Sequence, residues 1–290
     1  MGDLLLYFPG GLARLIKQAT TIKPKILQSD YSTYILTAWG QVFVLKDDKF
    51  GLLSLPPVID IYTLLNGRLT LIMLDASLVY YGLLKYEVED VISVDDRTLL
   101  GVITVTGKFY KKVSHLFELV NLPEPVVAQA GTDFSVGDYF LLRQNGRVWE
   151  YPKDGQIKDM NVEDIISITK NTLIRSDGQI YERNNTVGDF ELNTSVKNIA
   201  QAIVESDNEL LQDNYTLTTR DGDLLYKEMG EHIGKYQRIK LNGACLTAAP
   251  KRLTAIRTDG RILVITNGVM VTVPRLNVFN YIEPRLNVFR

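Results

Sequence analysis

Two histidines and one cysteine are all that this 290-residue chain offers for imidazole, thiolate or soft-metal chemistry. His115 directly follows Ser114. Neighbouring residues on a strand point to opposite faces, so the two cannot form the hydroxyl–imidazole pair of a hydrolase. His232 follows Gly230-Glu231 in a polar stretch and reads as solvated. Cys245 alone excludes an intrachain disulfide, and with two unrelated histidines it makes no zinc ligand set. Neither a G-x-S-x-G elbow nor a phosphate loop of the G-x-x-x-x-G-K-[ST] or G-x-G-x-x-G type is present. Asp47-Asp48 and Asp95-Asp96 lack an EF-type loop and read as solvated turn residues. The sequence therefore predicts no catalytic, cofactor-binding or metal-ligating residue. Calcium held by carboxylates converging from several repeats is the one metal arrangement that spacing leaves open.

Charge and aromatic content narrow the partners. Thirty-two Lys and Arg stand against 34 Asp and Glu, a formal net charge of −2. A protein that tracks phosphates would carry a basic excess, so nucleic acid is not an expected partner. Lys108, Lys111 and Lys112 lie along one hairpin, with Lys108 and Lys112 on the same face, and read as a solvated surface. Fifteen tyrosines and two tryptophans could stack on sugars or on a partner. Trp149 and Tyr151 share one side of a strand, and Tyr110, Trp149, Tyr181 and Tyr226 hold similar places in successive repeats. A place filled repeatedly by an aromatic residue predicts packing between sheets. Glycan binding stays as an alternative. The sequons at Asn184, Asn193 and Asn214 have no secretory signal before them, and no apolar run is long enough to span a membrane. A soluble intracellular protein, cytoplasmic, nuclear or part of a particle, is expected.

The elements behind these residues are hairpins. In 173–182, LIRSDGQIYE, apolar-alternating runs flank Asp177-Gly178, which predicts a type I′ turn with positive φ at both central residues. The runs at 140–151, 217–227 and 255–265 repeat it, with looser copies at 35–45, 71–81 and 101–111. The turn positions Gly40, Ala76, Gly107, Gly146, Gly178, Gly222 and Gly260 lie 31 to 44 residues apart. The flanks alternate at period two and are rich in Val, Ile, Thr and Tyr, so the repeats are built of strands. An apolar strand precedes each hairpin, at 58–61, 91–94, 126–129, 165–168, 199–204 and 238–241, and a more polar strand such as 190–195 follows. Four strands per unit, too thin to stand alone, predict an all-β single β-propeller of four-stranded blades stacked about an axis.

Residues 25–273 supply seven repeat units of one domain covering 1–290, with an N-terminal closing hairpin in 1–24 and a closing strand and tail in 274–290. Strand exchange between the two termini would close the ring and remove its open edge. In that scheme 269–273 follows the last hairpin and 276–282 is one more inner strand. Seven blades are expected, and eight if the terminal strands form a sheet of their own. The phrase PRLNVF at 274–279 recurs at 284–289 without a function that physics assigns.

The turn phrase resembles the repeat of the regulator of chromosome condensation family. Asp177-Gly178-Gln179-Ile180-Tyr181, Asp221-Gly222, Asp259-Gly260 and Asn145-Gly146-Arg147-Val148-Trp149 carry the likeness. The resemblance implies a seven-bladed propeller and a tendency to bind other proteins. The family's Gly-x-x-His stretch and the Trp-Gly after its hairpin are missing here, and Trp39-Gly40 sits at a turn. Units this short leave little room for the inserted wedge with which the founding member acts on a small GTPase. A non-catalytic scaffold that binds a protein partner, on one face or as part of a larger assembly, is therefore the expected function. A carbohydrate-binding propeller and a nucleotide exchange factor are the alternatives.

Overall fold

A left-handed residue at the hairpin tip, glycine in six repeats and Ala76 in the other, sets the geometry of each repeat. The computed structural model describes residues 22–28, 32–46, 49–63, 69–80, 84–94, 101–113, 116–131, 138–152, 155–183, 189–207, 212–227, 236–239, 245–249, 254–266 and 269–280. In the fifth repeat the Gly178 N–H donates to the Arg175 carbonyl at 2.9 Å and the Arg175 N–H to the Gln179 carbonyl at 2.9 Å. Gly178 has φ +82°, whereas Asp177 is not among the residues with positive φ. The turn is thus not the type I′ expected. It is a longer loop that ends on one left-handed residue, the arrangement of a G1 bulge, and it needs glycine at one place only. The aspartate has a separate task, since Asp177 Oδ1 accepts the Gln179 N–H at 2.9 Å. Asn145 and Asp259 do the same for Arg147 and Arg261, both at 3.1 Å.

Around these tips the described strands form seven four-stranded antiparallel sheets, each built from strands consecutive in the chain. They span 25–52, 58–85, 91–120, 126–159, 165–193, 199–239 and 245–277 and are blades 1 to 7 below. The shortest strands are outermost ones, Leu84–Lys85 in blade 2 and Lys158–Asp159 in blade 4. Apolar clusters lie between successive blades. Val91, Val94 and Val102 pack on Tyr62, Ile72 and Leu78, and Ile165, Ile168 and Leu173 pack on Phe140, Leu142 and Val148. The last cluster joins Ile256 and Ile262 of blade 7 to Ile26, Ile35 and Phe43 of blade 1, so the sheets close on themselves. The chain is a β-propeller.

Main-chain hydrogen bonds register each blade on the next. The carbonyl at a tip accepts the N–H that opens the following blade: Val58 to Gly40 at 3.0 Å, Val91 to Ala76 at 3.0 Å, Ile165 to Gly146 at 2.9 Å and Ile199 to Gly178 at 2.9 Å. Just before these opening residues, Asp90, Asp164 and Asn198 adopt φ of 58°, 62° and 63°. Short polar side chains tolerate that left-handed turn, which accounts for Asp or Asn there.

Closure differs from expectation. No strand is shared between blades among the described residues, and the hairpin proposed for 1–24 lies outside them apart from 22–24. Of the inner strand expected over 276–282, the described residues 276–280 form none, and 281–282 lie outside the described residues. Val269–Asn277 is the outermost strand of blade 7, and 278–280 turn away from it. Val278 nevertheless stands where an opening residue of blade 1 would stand. Its N–H donates to Gly260 of blade 7 and its carbonyl accepts from Ala38 of blade 1, both at 2.9 Å. The run at 238–241 is also reassigned. Gln237–Ile239 pairs with Leu224–Lys227 as the outer strand of blade 6, tied by Arg238 Nε to Asp223 at 2.6 Å. The innermost strand of blade 7 is Cys245–Ala249. A short apolar run reads alike whether it lies at the axis or at the rim, and only its pairing tells the two apart.

Candidate functional site

Six of the seven innermost strands break their ladder at the second residue. The register shifts across Ile59, Ile92, Val127, Ile166, Ala200 and Leu246, so each is an unpaired bulge residue. A bulge re-aims its side chain out of the pleat. The residue before it is fully buried in five of these strands or nearly so (Val58, Val91, Val126, Ile165 and Ile199 are at most 3% exposed), while Ile92, Val127 and Ile166 are 39%, 42% and 53% exposed. Ile59 is half-buried and Ala200 is exposed. Inner strands of successive blades touch around the axis. The bulges lie at the end of these strands that meets the hairpin tips, so the exposed ones form an apolar collar about the axis on the tip face. Trp39, Val105 and Phe279, exposed at 49%, 36% and 40%, extend the apolar surface on that face. Trp39 Nε1 donates to the Phe279 carbonyl at 2.8 Å and so fixes the indole beside the closing segment.

A second concave feature lies between blades 2 and 3. The segment 86–90 and the outer strands of blade 3 enclose about 720 Å³ over buried Val88 and Thr104. Tyr86, Tyr110 and Phe117 form its aromatic wall, with Tyr86 and Phe117 edge to face at 5.5 Å. Burial raises the Tyr86 phenol above its ordinary 10.0, so it is an uncharged ring at physiological pH. Glu87, Glu89, Asp90 and Glu118 stand at the rim with Lys108. A smaller hollow of about 360 Å³ lies on the other side of blade 3, between Lys111, Glu118 and Tyr151.

The residues singled out from sequence fall as follows. His115, His232, Ser114, Asp47-Asp48 and Asp95-Asp96 lie outside the described residues. The lysines split between the two faces of blade 3: Lys112 lies 5.8 Å from the Tyr86 ring and Lys111 5.6 Å from the Tyr151 ring. Trp149 is buried beneath the Arg143 guanidinium, 4.6 Å from its ring. Tyr110 and Tyr181 pack against the preceding blade. Register places Leu225, opposite Leu217, at the equivalent point of blade 6, so Tyr226 is one residue out of the series. Asn193 is buried and donates to Glu182 at 2.7 Å, which leaves its amide no room for a glycan. Sequence reasoning missed the bulges and the groove. The signal for both was present in the phrase Val-Glu-Asp-apolar-Ile-Ser, which occurs at 88–93 and again at 162–167.

Solved structures match this geometry. The N-terminal domain of BBS1, determined in complex with ARL6, superposes with a TM-score of 0.55 at 11% identity, covering 89% of this chain and 94% of that one. The WD40 propeller domain of Doa1 gives 0.53 at 13% identity, over 82% and 88%. PorZ of Porphyromonas gingivalis, a component of the type-IX secretion system, gives 0.51 at 14% identity, over 88% of this chain and 38% of that one. At these identities the likeness is one of fold. No family model matches the chain and no curated protein does, so the regulator of chromosome condensation likeness rests on the turn phrase alone. Among the described residues no helix is long and apolar enough to cross a membrane.

Proposed function

We propose that the protein is a non-catalytic interaction scaffold, one domain over 1–290, whose protein partner docks on the tip face over the bulge collar. The observation that carries this reading is the collar itself. Equivalent residues of four blades, Ile92, Val127, Ile166 and Ala200, present an apolar side chain to solvent, although a polar residue would fit an exposed bulge at no cost in packing. Contiguous apolar surface of this kind marks interaction sites. The same positions offer no convergent charge for chemistry at that end of the axis, and we assign no catalytic, cofactor or metal residue. BBS1, which shares the fold, was solved with a protein partner. Recruitment into a larger particle is a variant of the same reading. A lectin would need an aromatic pocket in each blade, whereas the recurring aromatic position is used for packing between blades.

The test is affinity capture from the native source with wild type and with Ile92→Asp and Ile166→Asp, followed by mass spectrometry. Both side chains are exposed, so each variant should melt within a few degrees of wild type. A partner that wild type enriches should be lost by both variants. Retention of every enriched protein by both variants, or capture of glycan by the wild type instead, overturns the proposal.

A further inference from the structure

The groove between blades 2 and 3 carries acids whose counterparts elsewhere in this molecule are neutralised internally. In the copy of the repeated phrase at 162–168, Glu163 pairs with Arg147 of the preceding blade, and Asp164 with Arg175 of its own at 3.5 Å. In blade 4, Glu124 holds the glutamate place and takes both arms of the Arg143 guanidinium, at 3.0 and 2.5 Å. These arginines stand at fixed places relative to the tip glycine. Arg147 follows Gly146, and Arg143 and Arg175 come three residues before Gly146 and Gly178. For the copy at 88–94 the same places hold Ser77 and Thr104. Neither carries charge: Ser77 Oγ donates to Asp75 at 2.5 Å, and Thr104 shares a hydrogen bond with Thr106 at 3.1 Å. Among the described residues, Glu89 and Asp90 have no cationic partner within ion-pair distance, and neither have Glu87 and Glu118 beside them.

The fold thus keeps the acids and omits the arginines where the surface opens into an aromatic-walled groove. Three acids at the equivalent places of blades 4 and 5 show which ligand such acids take, a guanidinium. Glu87, Glu89 and Asp90 stand beside Lys108, and Lys112 approaches the Tyr86 ring, while Glu118 is opposite Lys111 on the other face of the sheet. Tyr110 offers an aromatic wall to the stem of a cationic side chain, and Tyr86 already takes the Lys112 ammonium at 5.8 Å. A metal is the poorer fit, because no group of three described Asp, Glu, His or Cys residues is close enough to hold one.

We propose that this groove takes an arginine- or lysine-bearing segment of a partner protein, whose cation fills the space that Arg147 and Arg175 occupy in the equivalent part of blade 5. The proposal rests on the scaffold reading and names the chemistry of the partner.

Fluorescence anisotropy on the full chain, with a labelled peptide of alternating Gly and Arg and with its Gly and Glu counterpart, tests it. The cationic peptide should bind and the anionic one should not. Glu89→Gln should weaken binding about tenfold, the scale of one charge-assisted contact. Glu163→Gln, the same change at an acid already paired, should leave binding within about twofold, which separates site binding from general attraction to an acidic surface. Thr104→Arg restores the internal cation and should abolish binding while keeping the thermal midpoint at or above that of wild type. Equal loss in Glu89→Gln and Glu163→Gln, full binding by Thr104→Arg, or absence of binding by wild type each overturns the proposal. If wild type ignores the peptide while Ile92→Asp and Ile166→Asp still lose the native partner, this inference fails and the scaffold reading stands.

Discussion

Glycine at a hairpin tip has two duties in this fold, and they can be separated by measurement. At Gly178 a Cβ would lie 2.9 Å from the Asn198 Cα and 3.0 Å from the Ile199 nitrogen, backbone that holds the next blade in place. At Gly146 the nearest atoms are 3.4 Å away, although φ is nearly the same at +80°. Gly146→Ala should therefore cost only the left-handed penalty, about 1 kcal/mol, and Gly178→Ala about 2–3 kcal/mol because a backbone contact must also yield. Urea denaturation of the two variants decides the matter. Equal losses would show that conformation alone sets the residue type. Ala76 holds the tip of blade 2 at φ 59°, so a Cβ is accommodated at that tip.

Strands and the segments between them are joined most firmly where Arg143 sits. Its side chain is 10% exposed, forks onto Glu124, reaches Asp159 at 3.4 Å and covers Trp149. One guanidinium thus fastens the segment before blade 4 to the second and last strands of that blade. Arg143→Ala should lower stability by about 2–3 kcal/mol, since both carboxylates lose their partner and the indole its cover. Arg143→Lys should recover less than half of that, because an ammonium cannot fork or stack as a guanidinium does. A lysine variant as stable as wild type would mean that charge alone matters there. At the same scale the bulges turn Ile92, Val127 and Ile166 away from the inter-blade core and out to solvent.

The whole ring depends on how blade 7 meets blade 1. Val278 is fully buried between them and bonds to both through its backbone. Val278→Ala should cost about 1–3 kcal/mol, whereas Val278→Asp places an unpaired charge in that seam and should open it. Thermal melting together with limited proteolysis is the measurement. For the aspartate variant, cleavage should begin within blades 1 and 7 while the middle blades stay protected. Uniform cleavage across all blades would show that the seam is not a separate point of weakness. A ring of thin sheets is stable only when every neighbour is present, so the seam bears on all seven.

How much of this could be read beforehand follows from which interactions are local. Period-two alternation and the spacing of Gly40 through Gly260 specify hairpins and a repeat, because both depend on residues within one turn or strand of each other. The inner strands at 58, 91, 126, 165 and 199 were legible for the same reason. The run at 238–241 was misplaced because Arg238 pairs with Asp223, and pairing is not written in hydropathy. The bulges at Ile92, Val127 and Ile166 were hidden, since an extra residue in a ladder is visible only against its partner strand. Closure through Val278 and the unpaired acids of the blade 3 groove were further out of reach. The sequence alone determined strands, turns and their period. Which residues face solvent, where the ring is sealed and which carboxylates lack a cation were decided by the tertiary structure, because each depends on what a neighbouring blade brings alongside.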